Sequence, residues 1–199
     1  MAPPRASTPP VLLRFPRGSD EREYVALREA NKAHLEPWEP LPSPGDDPSQ
    51  AARFERILDT CNSDRAKRFL ICLTSTGEII GQCSLGEIIR GPLQQAFMGY
   101  WLVQAHTGKG HMTAALRLLL TYGFDTLALH RIEANIQPHN APSLAVAQRL
   151  GLRKEGFSPR YLQINGTWAD HERWAITLED FRTLRHADPS LWPAPPNVR

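Results

Sequence analysis

The hydrophobic pattern of this chain switches repeatedly between the period of a helix and that of a strand, and most switches fall at turn residues. In the first half, helical spacing over residues of about 19–35 and 49–58 is interleaved with strands. These predicted strands cover residues 11–15, 69–73, 78–88 and a segment that ends at Val103. The second half reads strand, helix, strand, helix, and ends in a hairpin that turns at Asn165-Gly166, a strong hairpin signal. This order predicts an α+β fold with a mixed sheet and helices on both faces.

The junction between the strand that ends at Val103 and the helix after it is the most informative segment. A turn containing Gly108 and Gly110 leads directly into a strongly apolar helix that begins near His111. The first turn of a helix carries unpaired N–H donors and a partial positive charge, and glycines let the backbone approach an anion closely. The segment therefore predicts a main-chain cradle for a phosphate group. It matches neither the Walker loop nor the dinucleotide-binding G-x-G-x-x-G fingerprint.

A second strand–helix unit follows later in the chain. Residues 130–136 alternate at period two, as expected for a strand. Asn140 is a favoured N-cap, Pro142 lies in the first helical turn, where its missing N–H costs little, and Gly151 is a natural C-terminal stop. Two successive units with both helix N-termini at the same edge of the sheet would flank one cleft, the expected place for an anionic ligand.

Five motifs, in their order along the chain, resemble the acetyl-CoA motifs of GNAT-superfamily N-acetyltransferases. They are Gly108-Lys109-Gly110-His111-Met112, His130-Arg131-Ile132-Glu133-Ala134, Asn140-x-x-Ser143, Leu150-Gly151-Leu152-x-x-Glu155-Gly156 and Tyr161-Leu162-x-Ile164-Asn165-Gly166-x-Trp168-x-Asp170-His171. The chain is most similar to the RimJ/RimL branch, which contains ribosomal-protein alanine N-acetyltransferases, and the similarity covers about residues 11–178. It includes the upstream segment Leu35-Glu36-Pro37-Trp38-Glu39-Pro40. The resemblance implies a GNAT-like, mostly antiparallel sheet whose central parallel strands splay apart.

The resemblance also implies that acetyl-CoA is the co-substrate and that an amine attacks its thioester directly, without a metal. The pyrophosphate would be bound by the amides of Gly108, Lys109, Gly110, His111, Met112 and Thr113. The pantetheine arm would pair with the backbone of Tyr100, Trp101 and Leu102 and with the Asn140 side chain. Ser143 would protonate the departing thiolate, although a serine in a first helical turn is equally explained as structural. Thr107 stands where the family commonly has Arg or Gln, so one side-chain contact to the pyrophosphate is expected to be lost.

The acceptor half of the site is less clearly marked. Glu133 is the leading candidate for the general base, with an ion pair to Arg131 or Arg153 as the structural alternative. The resemblance places the acceptor pocket at the last hairpin, and the proline-rich loop near residue 40 would receive a cationic amine. The candidates for this pocket are Glu36, Trp38, Glu39, Tyr161, Asp170 and His171.

The sequence contains no residue that is clearly a general base, and this affects which amine we expect to be acetylated. An α-amine has a pKa of about 7.7–8.0, whereas a lysine amine has a pKa near 10.4. At pH 7 roughly a tenth of the α-amine is already neutral, so a weak base acting through water is sufficient for it. We therefore expect an N-terminal α-amine of a protein, with a ribosomal protein as the leading acceptor. A small amine such as a polyamine or an aminoglycoside is an alternative, and so is a catalytically silent acyl-CoA-binding module.

Composition narrows the class of protein. Hydrophobic residues make up 41% of the 199 residues and charged residues 22%, as in a globular domain. The formal charge of +2 is too small to predict direct nucleic-acid binding. Without a long apolar segment or a signal peptide, no membrane association is expected, and the predicted location is the cytoplasm. Cys61, Cys72 and Cys83 lack metal-ligand spacing and are expected to be reduced.

The prolines indicate where the domain ends. The 18 prolines concentrate near both termini and in residues 37–48. We therefore expect an extended tail over residues 1–10, a single acetyltransferase domain over residues 11–184 and a poorly packed tail over residues 185–199. The middle cluster predicts a long loop, a type of segment that is often functional. Either a monomer or a homodimer is compatible with the sequence.

Overall fold

Seven strands form one sheet, in a computed structural model that describes residues 11–196. The strands are β1 (Val11–Arg14), β2 (Lys67–Leu73), β3 (Ile79–Ile89), β4 (Gln95–Leu102), β5 (Arg131–Ile136), β6 (Arg153–Ile164) and β7 (Thr167–Thr177). Their order in the sheet is β1-β2-β3-β4-β5-β7-β6. Every neighbouring pair is antiparallel except β4 and β5, which confirms the predicted mixed, mostly antiparallel sheet. The N-terminal tail predicted for residues 1–10 lies outside the described residues.

Helices occupy the four segments predicted between the strands, and a further helix, which was not predicted, follows β7. They are α1 (Glu21–Ala30), α2 (Lys32–Leu35), α3 (Gln50–Thr60), α4 (His111–Thr121), α5 (Ala141–Arg149) and α6 (Leu178–Ala187). Tyr24 of α1 and Phe54 and Ile57 of α3 are buried on one face of the sheet. Leu116 of α4 and Phe181 of α6 are buried in the larger core on the other face. Helices therefore cover both faces. No helix within residues 11–196 is long and apolar enough to cross a bilayer.

The single helix predicted for residues 19–35 is interrupted at Asn31. Its backbone leaves the helical region, with φ −110° and ψ 13°, and its side-chain amide donates to the carbonyl of Leu27 at 2.9 Å. Such side-chain bonds to the backbone compete with the helical hydrogen bonds. The Asn31 side-chain oxygen accepts from the backbone N–H of Gln104 at 2.9 Å. The break therefore ties the α1–α2 junction to the segment that follows β4.

The two parallel strands stay together over a short distance only. Residues 95–97 of β4 pair with residues 131–133 of β5, and no pairing continues beyond them. The rest of β4 keeps its hydrogen bonds to β3 on the opposite side. Past residue 97, the backbone of β4 that faces β5 is therefore open, which is the splayed arrangement implied by the resemblance. Because β4 and β5 are parallel, α4 and α5 both begin at the same edge of the sheet, beside this opening.

The C-terminal segment differs from the expectation of a poorly packed tail after residue 184. Helix α6 continues to Ala187, and Trp192 is only 9% exposed. Its ring meets Phe181 edge-on at 5.0 Å between centroids, and the guanidinium of Arg117 lies 5.9 Å from its centre. The free energy gained by burying a large indole offsets the conformational entropy lost when the proline-rich chain around it is ordered. The prediction is therefore wrong for residues 185–192, which belong to the folded domain.

Candidate active site

The turn between β4 and α4 has the geometry of an anion cradle. Gly108 and Gly110 adopt left-handed conformations, with φ of +72° and +82°. At the start of α4, the backbone N–H of Ala114 donates to the carbonyl of Gly110 at 3.1 Å. The N–H groups of residues 111–113 therefore precede the first bond of the helix and have no partner inside it. Left-handed glycines followed by free helix N–H groups are the arrangement that binds phosphate through main chain.

Two side chains of the cradle differ in their electrostatic contribution. His111 is only 5% exposed, and burial lowers the pKa of its imidazole below the usual value. Its Nδ1 lies 3.3 Å from the carbonyl oxygen of His106, which can only accept a hydrogen bond. His111 is therefore neutral at pH 7 and carries no charge toward an anion. Lys109 is exposed at the tip of the turn and provides the local positive charge.

The opening between β4 and β5 is a cleft of about 160 Å³. Met98, Gly99 and Tyr100 line it from β4, and residues 134–137 line it from β5. The N-terminal turn of α5, the 3₁₀ turn of residues 36–38 and strand β7 contribute Asn140, Ser143, Trp38 and His171. None of these lining residues, all within the described chain, is an aspartate or a glutamate. The cleft therefore brings the predicted cofactor residues Tyr100, Asn140 and Ser143 together with the predicted acceptor residues Trp38 and His171. The part of the cleft at Trp38 and His171, called the acceptor end below, has no acidic side chain among its described lining residues.

Asn140 and Ser143 are held at the cleft by the local geometry of α5. The Asn140 side-chain oxygen caps the helix by accepting from the backbone N–H of Ser143 at 3.2 Å. This use of the oxygen leaves the two amide hydrogens of Asn140 as donors. The hydroxyl of Tyr100 lies 3.5 Å from the carbonyl oxygen of Ser143, and burial raises the pKa of Tyr100, so the phenol stays protonated.

His171 is the titratable group at the acceptor end of the cleft. Strand β7 buries its side chain to 2% exposure. Its Nδ1 lies 2.9 Å from the carbonyl oxygen of Ala169, so Nδ1 carries the hydrogen and Nε2 has the free lone pair. Burial lowers the pKa of His171, against opposing effects of the Ala169 carbonyl and the Asp170 carboxylate. The ring is therefore neutral near pH 7, with a basic nitrogen available.

Asn135 lines the cleft but was missed by the sequence analysis. Its side-chain oxygen is buried and has no hydrogen-bond partner within the described residues. A buried carbonyl oxygen without a partner is costly, so it marks a place where a ligand donor fits. The period-two pattern of β5 puts Asn135 on the same face as Glu133. That pattern was the only signal for Asn135, and it could not show that the strands separate after residue 133.

Glu133 is placed away from the cleft lining. Its carboxylate accepts from Nε of Arg131 at 2.6 Å, and its side chain is 13% exposed. Arg131 also donates to Glu155, which in turn pairs with Arg153. Glu133 thus takes part in an ion-pair cluster across β5 and β6, which was the structural alternative. Its carboxylate is bound by a guanidinium of the same strand and does not line the cleft, so it does not face an amine bound there.

The proline-rich loop separates residues that are adjacent in sequence. Trp38 faces the cleft, where its ring packs on His139 at 5.3 Å between centroids. Glu36 and Glu39 instead line a second cavity, of about 220 Å³, between α1, α3 and the loop. Tyr161 is 37% exposed, and its ring lies 6.1 Å from that of His171. Of the acceptor candidates, Trp38 and His171 line the cleft, and Tyr161 stands beside it.

Asp170 and the three cysteines lie outside the lining of the cleft. Asp170 accepts from the backbone N–H of Arg160 at 2.7 Å, which joins the two strands of the last hairpin. The three cysteines are free thiols, and burial raises the pKa of Cys83 far above its usual value. Over residues 11–196, no group of three or more His, Cys, Asp or Glu side chains could hold a metal ion.

Sequence comparison with known proteins shows which family the chain belongs to. The sequence profile of the acetyltransferase (GNAT) domain matches residues 11–153. The probable N-acetyltransferase YjcK of Bacillus subtilis is 39% identical over 81% of this chain and 91% of its own length. The ribosomal protein uS5-alanine N-acetyltransferase of Escherichia coli is 32% identical over 89% of this chain and 92% of its own length.

Solved structures show the same relationship. RimJ from Mycobacterium smegmatis, in complex with CoA-disulfide, superimposes with a TM-score of 0.76 and 35% sequence identity. The match covers 93% of this chain and 98% of that protein. The profile match, the two relatives and this superposition confirm the fold and the family expected from the motifs. The chain therefore belongs to the GNAT acetyltransferase family, as a RimJ-like, acetyl-CoA-dependent N-acetyltransferase.

Proposed function

We propose that this enzyme acetylates the N-terminal α-amine of a protein, with a ribosomal protein as the leading acceptor. The observation that carries this proposal is the absence of carboxylates among the described residues that line the cleft. A polyamine carries several positive charges, which a buried site must pair with negative groups. An α-amine is partly neutral at physiological pH and needs no such partner. The identity to the uS5-alanine N-acetyltransferase of E. coli supports the same acceptor class.

Acetyl-CoA fits the neighbouring groups as the second substrate. The amides of residues 108–113 are positioned to bind the pyrophosphate, with Lys109 as the nearby cation. The open side of β4, from Met98 to Leu102, offers backbone groups to the pantetheine arm in the manner of an added strand. The amide hydrogens of Asn140 reach the same arm from the helix. Binding through main chain at both places would leave the thioester in the cleft, next to Ser143 and His171.

In this proposal His171 is the general base, in place of Glu133. Nε2 accepts the proton that the amine loses as it attacks the thioester carbon, and Nδ1–H stays bonded to the Ala169 carbonyl. The Asn135 oxygen accepts a second N–H of the amine and so orients its lone pair. The tetrahedral intermediate then collapses with cleavage of the carbon–sulfur bond. Ser143, or the protonated phenol of Tyr100, supplies the proton to the thiolate.

Free thiol released from acetyl-CoA tests this proposal directly. The acceptors are a peptide that begins with Ala, the same peptide with a blocked N-terminus and one internal lysine, and spermidine. Turnover of the free Ala peptide, with the other two at least about a hundredfold slower in kcat/KM, supports the α-amine. Preference for spermidine or for the lysine peptide would refute it. Acetyl-CoA binding without turnover of any amine would identify a silent binding module instead.

A further inference from the structure

Arg28 is a buried cation that lines the second cavity, together with Glu36 and Glu39, and does not line the cleft. Its side chain is 4% exposed, although it is on α1. Such burial is rare for arginine unless the guanidinium is paired with a carboxylate. Here both terminal nitrogens donate to the Glu39 carboxylate, at 2.6 and 2.5 Å, and Nε donates to the side chain of Gln50 at 3.1 Å. Arg28 thus joins α1 to the proline-rich loop and to α3.

The ring of Trp101 supports the guanidinium from below. The Arg28 Cζ atom lies 5.1 Å from the centre of that ring, within the range of a cation–π contact. The Trp101 indole packs edge-on to Tyr24 at 5.8 Å, and the side-chain oxygen of Gln82 lies near both its N–H and the Tyr24 hydroxyl. Trp101 belongs to β4, the strand that lines the cleft. The contact with Trp101 therefore holds Arg28 in place relative to the sheet.

Glu39 links Arg28 to the cleft, because it is bonded to Arg28 and directly follows Trp38, which lines the cleft. The Glu39 carboxylate is held by Arg28 and, at 3.3 Å, by Arg53, while its carbonyl oxygen accepts from Asn165 at 2.9 Å. The loop is thereby tied to α1, to α3 and to the tip of the β6–β7 hairpin. Trp38, the last residue of the 3₁₀ turn that Glu39 follows, lines the cleft.

We propose that Arg28 is a positioning residue for the acceptor: by holding Glu39 against the sheet, it fixes Trp38 as the wall of the acceptor end. The inference rests on the proposed function only in the choice of peptide as the varied amine. Glu39 therefore acts through its ion pair and does not receive the amine itself. Arginine is suited to this task because one planar group makes a bidentate pair and stacks on an indole, which an ammonium group does not reproduce.

Steady-state kinetics of Arg28→Met test this role, with the Ala peptide and acetyl-CoA varied in turn. We expect the KM for the peptide to rise at least tenfold, while the KM for acetyl-CoA changes less than threefold. Arg28→Lys should give an intermediate loss. Trp38→Ala should reproduce the effect, and the double variant Arg28→Met with Trp38→Ala should be no worse than Trp38→Ala alone, since one residue acts through the other.

A matched control is available in the same protein. Arg14 makes a similar bidentate pair with Asp20, at 2.6 and 2.8 Å, beside the start of α1 and outside the cleft lining. Arg14→Met should lower thermal stability, as Arg28→Met does, but leave both KM values unchanged. This comparison separates a loss of positioning from a general loss of stability. All kinetics are measured below the unfolding onset of the least stable variant.

Two results would overturn the inference: an unchanged peptide KM in Arg28→Met, and losses that multiply in the double variant. If the first result is accompanied by a raised peptide KM in Glu39→Gln, Glu39 binds the amine directly. Failure of the proposed acceptor is distinguishable, because it appears in the wild-type enzyme. If wild-type turns over spermidine and not the peptide, spermidine becomes the varied amine, and the same expectations apply.

Discussion

Replacing His171 by Gln removes the proposed base while preserving a polar side chain of similar reach. The buried imidazole of the wild type is neutral near pH 7, because burial lowers its pKa and the Ala169 carbonyl holds the hydrogen on Nδ1. Gln can keep a hydrogen bond to that carbonyl through its amide, but it has no basic nitrogen. The variant should therefore bind both substrates and lose mainly kcat.

The expected loss follows from the proton that must be removed. At pH 7.5 roughly a quarter to two fifths of an α-amine with a pKa of about 7.7–8.0 is already neutral. The base is therefore needed only during the attack, and we place its contribution at the lower end of general-base effects, about 10²-fold or about 2.7 kcal/mol. For a lysine amine, only about 0.1% is neutral at this pH, and the demand on the enzyme would be larger by about 3.5 kcal/mol.

The assay is the pH dependence of kcat for the Ala peptide between pH 5 and 9. Below its pKa, His171 is protonated and cannot accept a proton, so wild-type kcat at saturating peptide should fall at low pH, with a midpoint below that of an ordinary imidazole because burial lowers the pKa of His171. This acidic limb should be missing in His171→Gln. His130→Gln is the control, since His130 is an exposed histidine paired with Glu179. An unchanged kcat, or persistence in His171→Gln of the limb below the ordinary imidazole value, would refute the assignment of the base. A fall near the α-amine pKa of about 7.7–8.0 belongs to the substrate and is expected in both enzymes.

Three further changes test other parts of the structure. Asn140→Ala should weaken CoA binding about two- to twelvefold by calorimetry, because a hydrogen-bond donor is lost. It should also lower the free energy of unfolding by about 1 kcal/mol, because the helix cap is lost. Asn140→Asp should restore the stability and leave the affinity low. Ser143→Ala should lower kcat less than about tenfold, because a thiolate with a pKa of about 8.5 leaves readily, and a larger loss for Tyr100→Phe would make the phenol the acid. Trp192→Ala should destabilise by about 3 kcal/mol and lower Tm by about 6–12 °C in a thermal scan, since its ring packs on Phe181.

The fold was predictable from the sequence where local chemistry determines the backbone. The turn at Gly108 and Gly110, the Asn140 cap and the Asn165-Gly166 hairpin all depend on residues next to each other, and each element lies within a few residues of its predicted bounds. Helix and strand periods then determined which faces are apolar. The mixed sheet followed from these local features together with the family resemblance.

Side-chain roles that depend on distant partners could not be predicted from the sequence. Glu133 and Asn135 share one face of β5, so periodicity cannot distinguish them. Only the point at which β4 and β5 separate decides that Asn135 reaches the cleft, and that point is a property of the whole sheet. Glu39 was expected to meet the amine because a carboxylate attracts a cation. Its actual partner, Arg28, is eleven positions earlier on another element and was not considered.

In the proposed site the two substrates are bound by different kinds of groups, and this difference has consequences for specificity. The cradle and the open side of β4 use main chain, so many substitutions there keep the donors as long as Gly108 and Gly110 remain. The acceptor end uses side chains, Trp38 and His171 among them, that come from a loop and from the last hairpin. A change at that end alters the amine that fits without disturbing acetyl-CoA. If the Arg28–Glu39 pair sets where Trp38 stands, as proposed, the choice of acceptor depends on residues that never touch it.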